Sequence, residues 1–288
     1  MVSVLFLASC ENNSTSEIIS KPLFTEGIEG PAVSPSGDLY IVNFNKQGTI
    51  GVIKKGQRSV NLFLKLPEGS IGNGIRFLND SIFYVADYAK HQILKVNANT
   101  KGITVHAAND LMNQPNDIAI SVTGVLFASD PNWEEKSGNI WRINTDGSTH
   151  LLDSSMGTAN GIEVSTDEQF LYVNESVQRK IWKYNLTKAG EVSNKSLFFE
   201  FDDFGMDGMR CDEKGNLFVT RYDKGTVVIL SPDGVLLNEV KLHGTRPTNV
   251  AFGGIKGQDV FVTMQGEKWV ESFKSEFSGR SFKMHQKN

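Results

Sequence analysis

The feature that most restricts the fold of this chain is a short pattern that returns six times at nearly constant spacing. It opens at Glu29-Gly30, Asn73-Gly74, Asn116-Asp117, Asn160-Gly161, Asp207-Gly208 and Asn249-Val250, with successive openings 44, 43, 44, 47 and 42 residues apart. Each opening leads into an alternation of apolar and polar residues, a polar turn and a second apolar run, as in ANGIEVSTDEQFLYV and MDGMRCDEKGNLFVT. Runs of four to eight residues with period-two alternation read as strands, and the Gly/Asp/Asn turns between them suit hairpins. A third run (ILKVN, IWRIN, IWKYN, VVILS) and a fourth (NLFLKL, ITVHAA, LFFEF, NEVKL) complete the unit. No dozen-residue segment carries apolar positions at helical spacing. Four strands per unit and six units predict an all-β, six-bladed β-propeller; a β-sandwich would not explain a period running the length of the chain.

Closure of such a ring is expected from the N-terminal side. The run PLFTE (Pro22–Glu26) stands before Glu29 as NLFLKL stands before Asn73, so it is expected to supply the fourth strand of the last blade, with the tail SGRSFKMHQKN as the competitor. Closing start to end removes an open sheet edge. Residues 21–288 are thus read as one propeller domain, expected to be a monomer, and residues 1–20 as a leader and linker outside it.

That leader, MVSVLFLASC followed by ENNSTSE, has the form of a bacterial lipoprotein signal, with Leu7-Ala8-Ser9 ahead of Cys10. No Lys or Arg precedes the apolar run, which departs from the usual basic start of an export signal. The expectation is a lipid-anchored protein of the periplasm or cell envelope, or a cytoplasmic one if the segment is not a signal. The membrane would then be met only through a lipid on Cys10. With Cys10 lipidated, Cys211 has no partner and reads as a small buried strand residue. A net charge of −4 gives no electrostatic footprint for nucleic acid, and no apolar run approaches the ~18 residues of a membrane span.

The first strand of each propeller blade lines the central channel, so the six openings should ring one mouth of it. Any one Asn or Asp before Gly is an ordinary turn former. Six oxygen donors in one register, with no Lys, Arg, His or Cys among them, suit a hard cation instead.

The segments EGPAVSPSGDLYIV, QPNDIAISVTGVLFASDPNW, ANGIEVSTDEQFLYV and MDGMRCDEKGNLFVT resemble those of the gluconolactonase and regucalcin (senescence marker protein) family, whose more distant relative is diisopropyl fluorophosphatase. The resemblance covers residues ~22–275 by the repeat count. It implies one divalent ion in the channel, usually Ca²⁺, with Zn²⁺, Mn²⁺ or Mg²⁺ as alternatives. The implied ligands are Glu29 (EGP), Asn116 (PND), Asn160 (ANG) and Asp207 (MDG), with Asp207 also the catalytic proton acceptor or nucleophile. Asn73 and Asn249 are left as substrate or supporting contacts. Where regucalcin-like proteins carry an Arg two places before the third-blade Asn, this chain has Gln114, read as a further substrate contact, and this departure leaves the identity of the lactone open.

Outside the ring, the five histidines stand at no opening, and no G-x-S-x-G nucleophile motif supports a serine triad. Trp141 and Trp182 recur in third runs and read as packing between blades. Trp133, in SDPNWEEKSG, lies in an insertion able to overhang the channel mouth as a substrate wall, whereas Arg221 and Tyr222, which follow the fifth-blade second strand and could also reach the mouth, are expected at the surface. The functional expectation is a Ca²⁺-dependent hydrolase of a cyclic ester acting on a small-molecule lactone. A phosphotriesterase or fluorophosphatase, or a binding propeller with a structural ion, are the alternatives, since fold alone does not settle function.

Overall fold

The computed structural model describes residues 15–286, so Cys10 and the expected lipid site lie outside the described residues. Six four-stranded antiparallel sheets follow one another along the chain. Their inner strands are Phe24–Val33, Gly72–Phe77, Ile118–Ile120, Ala159–Val164, Met209–Cys211 and Pro247–Gly253, defining blades one to six. Inner strands of successive blades touch, and that of blade six touches that of blade one, which closes the ring. The expected six-bladed propeller is therefore the fold.

The core is not one mass but six apolar layers, each between neighbouring blades. Between blades one and two, Tyr40, Val42, Ile50 and Val52 pack on Ile75, Phe77, Phe83 and Val85, and the layer between blades six and one contains Ile28, Ile41, Ala251 and Val270. Second strands such as Leu39–Phe44 are buried along their whole length, because both faces meet a neighbouring blade. Outermost strands such as Val192–Glu200 are largely exposed. Trp141 lies in the layer between blades two and three and Trp182 packs on the one between three and four, as expected of residues between blades. Cys211 is a buried free thiol.

Two expectations about the ends need correction. The strand that completes blade six is Glu17–Ile18, which pairs antiparallel with Trp269–Lys274 through Glu17↔Ser272 and Ile18↔Glu271. PLFTE does not; Phe24 already begins the inner strand of blade one, opposite Phe44. The domain boundary at residue 20 moves with it, since Ser16 and Ser20 are buried and the Ser16 hydroxyl donates to the carboxylate of Glu271. The tail does not compete for the edge. It forms the helix Arg280–Gln286, whose buried Arg280 donates to the carbonyl oxygen of Ile120 (3.1 Å) and pairs with Glu163 and Glu168. Among the described residues no helix is long and apolar enough to cross a membrane.

Candidate functional site

Acids and amides at the ends of second strands hold the loops that carry the opening residues. The Asp130 carboxylate accepts from the backbone N–H groups of Asn113 and Gln114, and from Trp141 Nε1 at 2.8 Å, which fixes the loop leading to Asn116. Asp87 takes the N–H of Ile71 (3.0 Å) ahead of Asn73, and Glu175 that of Gly157 (2.7 Å) ahead of Asn160. Asn174 donates to the carbonyl of Asp207 (2.6 Å) from the neighbouring blade. Buried backbone groups need such partners, so the acids and amides at these strand ends are what give the ring one register.

The glycines after the openings have a separate cause. Gly30 has φ of +55°, and a Cβ there would sit 1.9 Å from the carbonyl oxygen of Asn73. A Cβ on Gly161 would meet the carbonyl oxygen of Asp207 at 2.3 Å. The openings crowd together around the axis, and only Gly permits the approach.

The mouth of the channel is a cavity of about 360 Å³. Glu29, Asn73, Gln114, Asn116, Trp133, Asn160 and Asp207 line it, so the structure brings together those residues singled out from sequence. Asn249 is not among its lining residues. It lies under Gly208, donates from Nδ2 to Glu29 Oε2 (3.1 Å) and accepts from the N–H of Val250, which makes it a support for Glu29.

The chemistry of this set is unusual in two ways. The Oδ1 atoms of Asn116 and Asn160 are buried with no hydrogen-bond partner. Burial also pushes the Glu29 carboxyl up to about 7, with help from the charge of Asp117 and against the N–H of Gly30 and the amide of Asn249. Asp207 is likewise raised, by burial first and then by the charges of Glu29 and Asp117. Buried oxygen acceptors without donors and facing carboxylates are costly unless something positive joins them. The donor set fits a hard divalent cation held by two carboxylates and two amides. Among the described residues no three His, Cys, Asp or Glu form a metal-binding group, so the amides are indispensable to this reading.

Beneath the ring lies a chain of buried charges. Arg210 donates to Asp117 through Nη1 (2.8 Å) and Nη2 (3.1 Å), and Arg76 Nη2 donates to the same carboxylate at 3.2 Å. Against the cost of burial, Arg210 and then Arg76 hold Asp117 below the usual carboxylate range. Glu163 continues the chain, 3.8 Å from Arg210 Nε and 3.4 Å from Arg280 Nη1.

Further residues reach the cavity that sequence reasoning did not place there. Tyr222 lines it instead of lying at the surface, together with Glu26, Tyr88, Ser176, Thr248 and Gln265. Arg221, also expected at the surface, is buried, stacks 3.6 Å from the centroid of the Phe201 ring and pairs with Asp203. A signal for most of these existed. Tyr88, Trp133, Ser176, Tyr222 and Gln265 each follow directly on the second strand of their blade, so they form a second register of the same repeat.

Residues 28–266 match the family model described as the SMP-30/Gluconolactonase/LRE-like region. The chain belongs to this family. It is similar to gluconolactonase of Zymomonas mobilis, 29% identical over 239 residues, covering 71% of this chain and 67% of that protein. It is also similar to diisopropyl-fluorophosphatase of Loligo vulgaris, 26% identical over 305 residues, covering 91% and 95% respectively. In fold it resembles the calcium-binding protein regucalcin of Agrobacterium tumefaciens, with a TM-score of 0.80 and 20% identity over 92% of this chain and 96% of the other.

Proposed function

We propose that this chain hydrolyses a cyclic ester with the help of a divalent ion, Ca²⁺ in the first instance, held by Glu29, Asn116, Asn160 and Asp207. The observation that carries the reading is the pair of unpartnered amide oxygens on Asn116 and Asn160, in the same cavity as two carboxyl groups that burial makes harder to ionise. When bound, a divalent ion polarises the lactone carbonyl and favours negative charge on its oxygen. Asp207, ionised once a cation joins the site, accepts the proton of the attacking water at its carboxylate. Asn249 holds Glu29 in place through its 3.1 Å hydrogen bond, and Tyr88, Trp133 and Tyr222 wall the cavity around the ring of the ester. The gluconolactonase likeness along 71% of the chain supports the reaction class.

The test is hydrolysis of a small panel, with and without Ca²⁺ after chelation: glucono-1,5-lactone, γ-butyrolactone, dihydrocoumarin and diisopropyl fluorophosphate. The last is included because of the long alignment with the Loligo enzyme. At least one lactone should be cleaved, chelation should abolish cleavage, and Ca²⁺ should restore it. Cleavage of the fluorophosphate alone would move the protein to the phosphoryl class, and no cleavage of any member would make it a binding propeller.

The sequence Leu7-Ala8-Ser9-Cys10 supports a place in the bacterial periplasm or envelope with a lipid on Cys10. Mass spectrometry of protein from the membrane fraction is expected to find a diacylglyceryl-modified Cys10. Protein recovered there with an unmodified Cys10 would refute the anchor.

A further inference from the structure

We infer that the mouth selects lactones that carry no charge and present an apolar or aromatic body, and that it rejects those bearing a phosphate, sulfonate or second carboxylate. This deepens the lactonase reading and rests on it. The ground is the composition of the wall. No Lys or Arg lines the cavity, and its charged side chains are Glu26, Glu29 and Asp207. Of the cations near the rim, Lys268 Nζ lies 3.3 Å from the lining carboxylate Glu26, and Arg246 Nε lies 2.9 Å from Asp223. With Glu29 and Asp207 neutralised by a divalent ion and Glu26 paired with Lys268, an anionic group on the substrate would find no cationic side chain in the lining to receive it. A group desolvated without a partner is rejected far more strongly than one merely lacking a favourable contact.

What the wall offers instead is aromatic surface from three separate blades, Tyr88 of blade two, Trp133 of blade three and Tyr222 of blade five. Trp133 is 43% exposed, a large apolar ring held open at the mouth. The Tyr222 hydroxyl donates to Gln265 Oε1, which fixes that ring across the junction of blades five and six. Rings held rigid before binding lose little entropy when a substrate packs on them.

The experiment compares glucono-1,5-lactone, its 6-phosphate and dihydrocoumarin on Ca²⁺-loaded protein. Dihydrocoumarin should exceed glucono-1,5-lactone in kcat/KM, and each uncharged lactone should exceed the 6-phosphate by a factor on the order of 10². Gln114→Arg, which adds a cation to the wall, should shift the ratio toward the phosphorylated substrate by roughly tenfold. Comparable rates on charged and uncharged lactones, or a Gln114→Arg ratio that does not move, would overturn the inference while leaving the lactonase reading intact. Calorimetric titration with the unhydrolysable gluconolactam and its 6-phosphate separates the two readings. If no lactone is cleaved, the lactonase reading fails, yet the uncharged lactam should still bind and the phosphorylated one should not. Equal binding of both, or of neither, overturns the inference.

Discussion

Asp207→Asn should abolish lactone hydrolysis even with Ca²⁺ at saturation, whereas Glu29→Gln should lose activity mainly at low Ca²⁺ and recover much of it as the ion is added. The two substitutions remove the same charge from the same cavity, so any difference between them reports role and not electrostatics. An amide oxygen at 207 still coordinates a hard cation but is no longer a carboxylate able to take a proton from water. Loss of a positioned general base costs about 10²–10⁴-fold in rate. Loss of one coordinating charge should instead cost on the order of 1–3 kcal/mol of ion binding, roughly 5- to 150-fold in affinity. If Asp207→Asn regains activity with added Ca²⁺ as fully as Glu29→Gln does, Asp207 is only a ligand.

The same carboxylates set the pH dependence. The Glu29 carboxyl stands at about 7 in the protein without an ion, well above its value of 4.5 in an open chain, so protons compete with the cation below neutrality. Ion affinity should therefore rise as pH rises through about 7, and Asp207, whose carboxyl burial and the charge of Glu29 also raise, adds to the same trend. A group whose pKa is raised on folding adds stability below its unfolded value and loses it as pH climbs through the folded one. Glu29 thus makes the ion-free protein less stable at pH 8 than at pH 5, and Ca²⁺ should reverse that trend. Thermal melts with and without Ca²⁺ at the two pH values read both statements.

Most of the fold was legible because a propeller repeats its physics. Each blade needs a hairpin turn, buried second strands and a crowded opening at the axis, so the same residue types return every ~43 residues. The cavity's inner ring was legible for the same reason. The closing strand was not. Glu17–Ile18 is two residues long with both side chains exposed, so it carries no alternation to read, and its position is set by pairing with a strand some 250 residues later. PLFTE misled because Phe24–Val33 is a ten-residue strand with register shifts between Phe24 and Ala32, longer than any other inner strand. The tail helix has seven residues and buries only Arg280 and Met284, too short for a periodic signal. Of the wall residues Trp133 was legible from its insertion, whereas Tyr88, Ser176 and Gln265, at the same place in the repeat, were hidden by looking for chemistry mainly at the openings.

The buried charges beneath the ring were also hidden in the alternation. Arg76, Glu163 and Arg210 each lie three residues after an opening, where Ala32, Ala119 and Phe252 stand in the other blades. Asp117 joins them as the residue after Asn116, and it takes three hydrogen bonds from two guanidinium groups. Asp117→Ala should be the most destabilising change in this part of the molecule. It leaves Arg76 and Arg210 buried without their carboxylate, a loss of about 3–5 kcal/mol for a broken buried pair. The double substitution Asp117→Ala with Arg210→Met should cost less than the sum of the single ones, because residues of one network do not add. Denaturant unfolding of the four proteins measures this, and an Asp117→Ala loss below about 1 kcal/mol would contradict it. Asp117→Asn adds a readout that a purely structural role would not move. The charge of Asp117 raises both Glu29 and Asp207 across the layer between network and ring. Removing it, and leaving the two arginines to act on those carboxylates unopposed, should lower the pH at which the ion begins to bind. A midpoint that stays in place or rises would mean that the buried network holds the fold together without tuning the site above it.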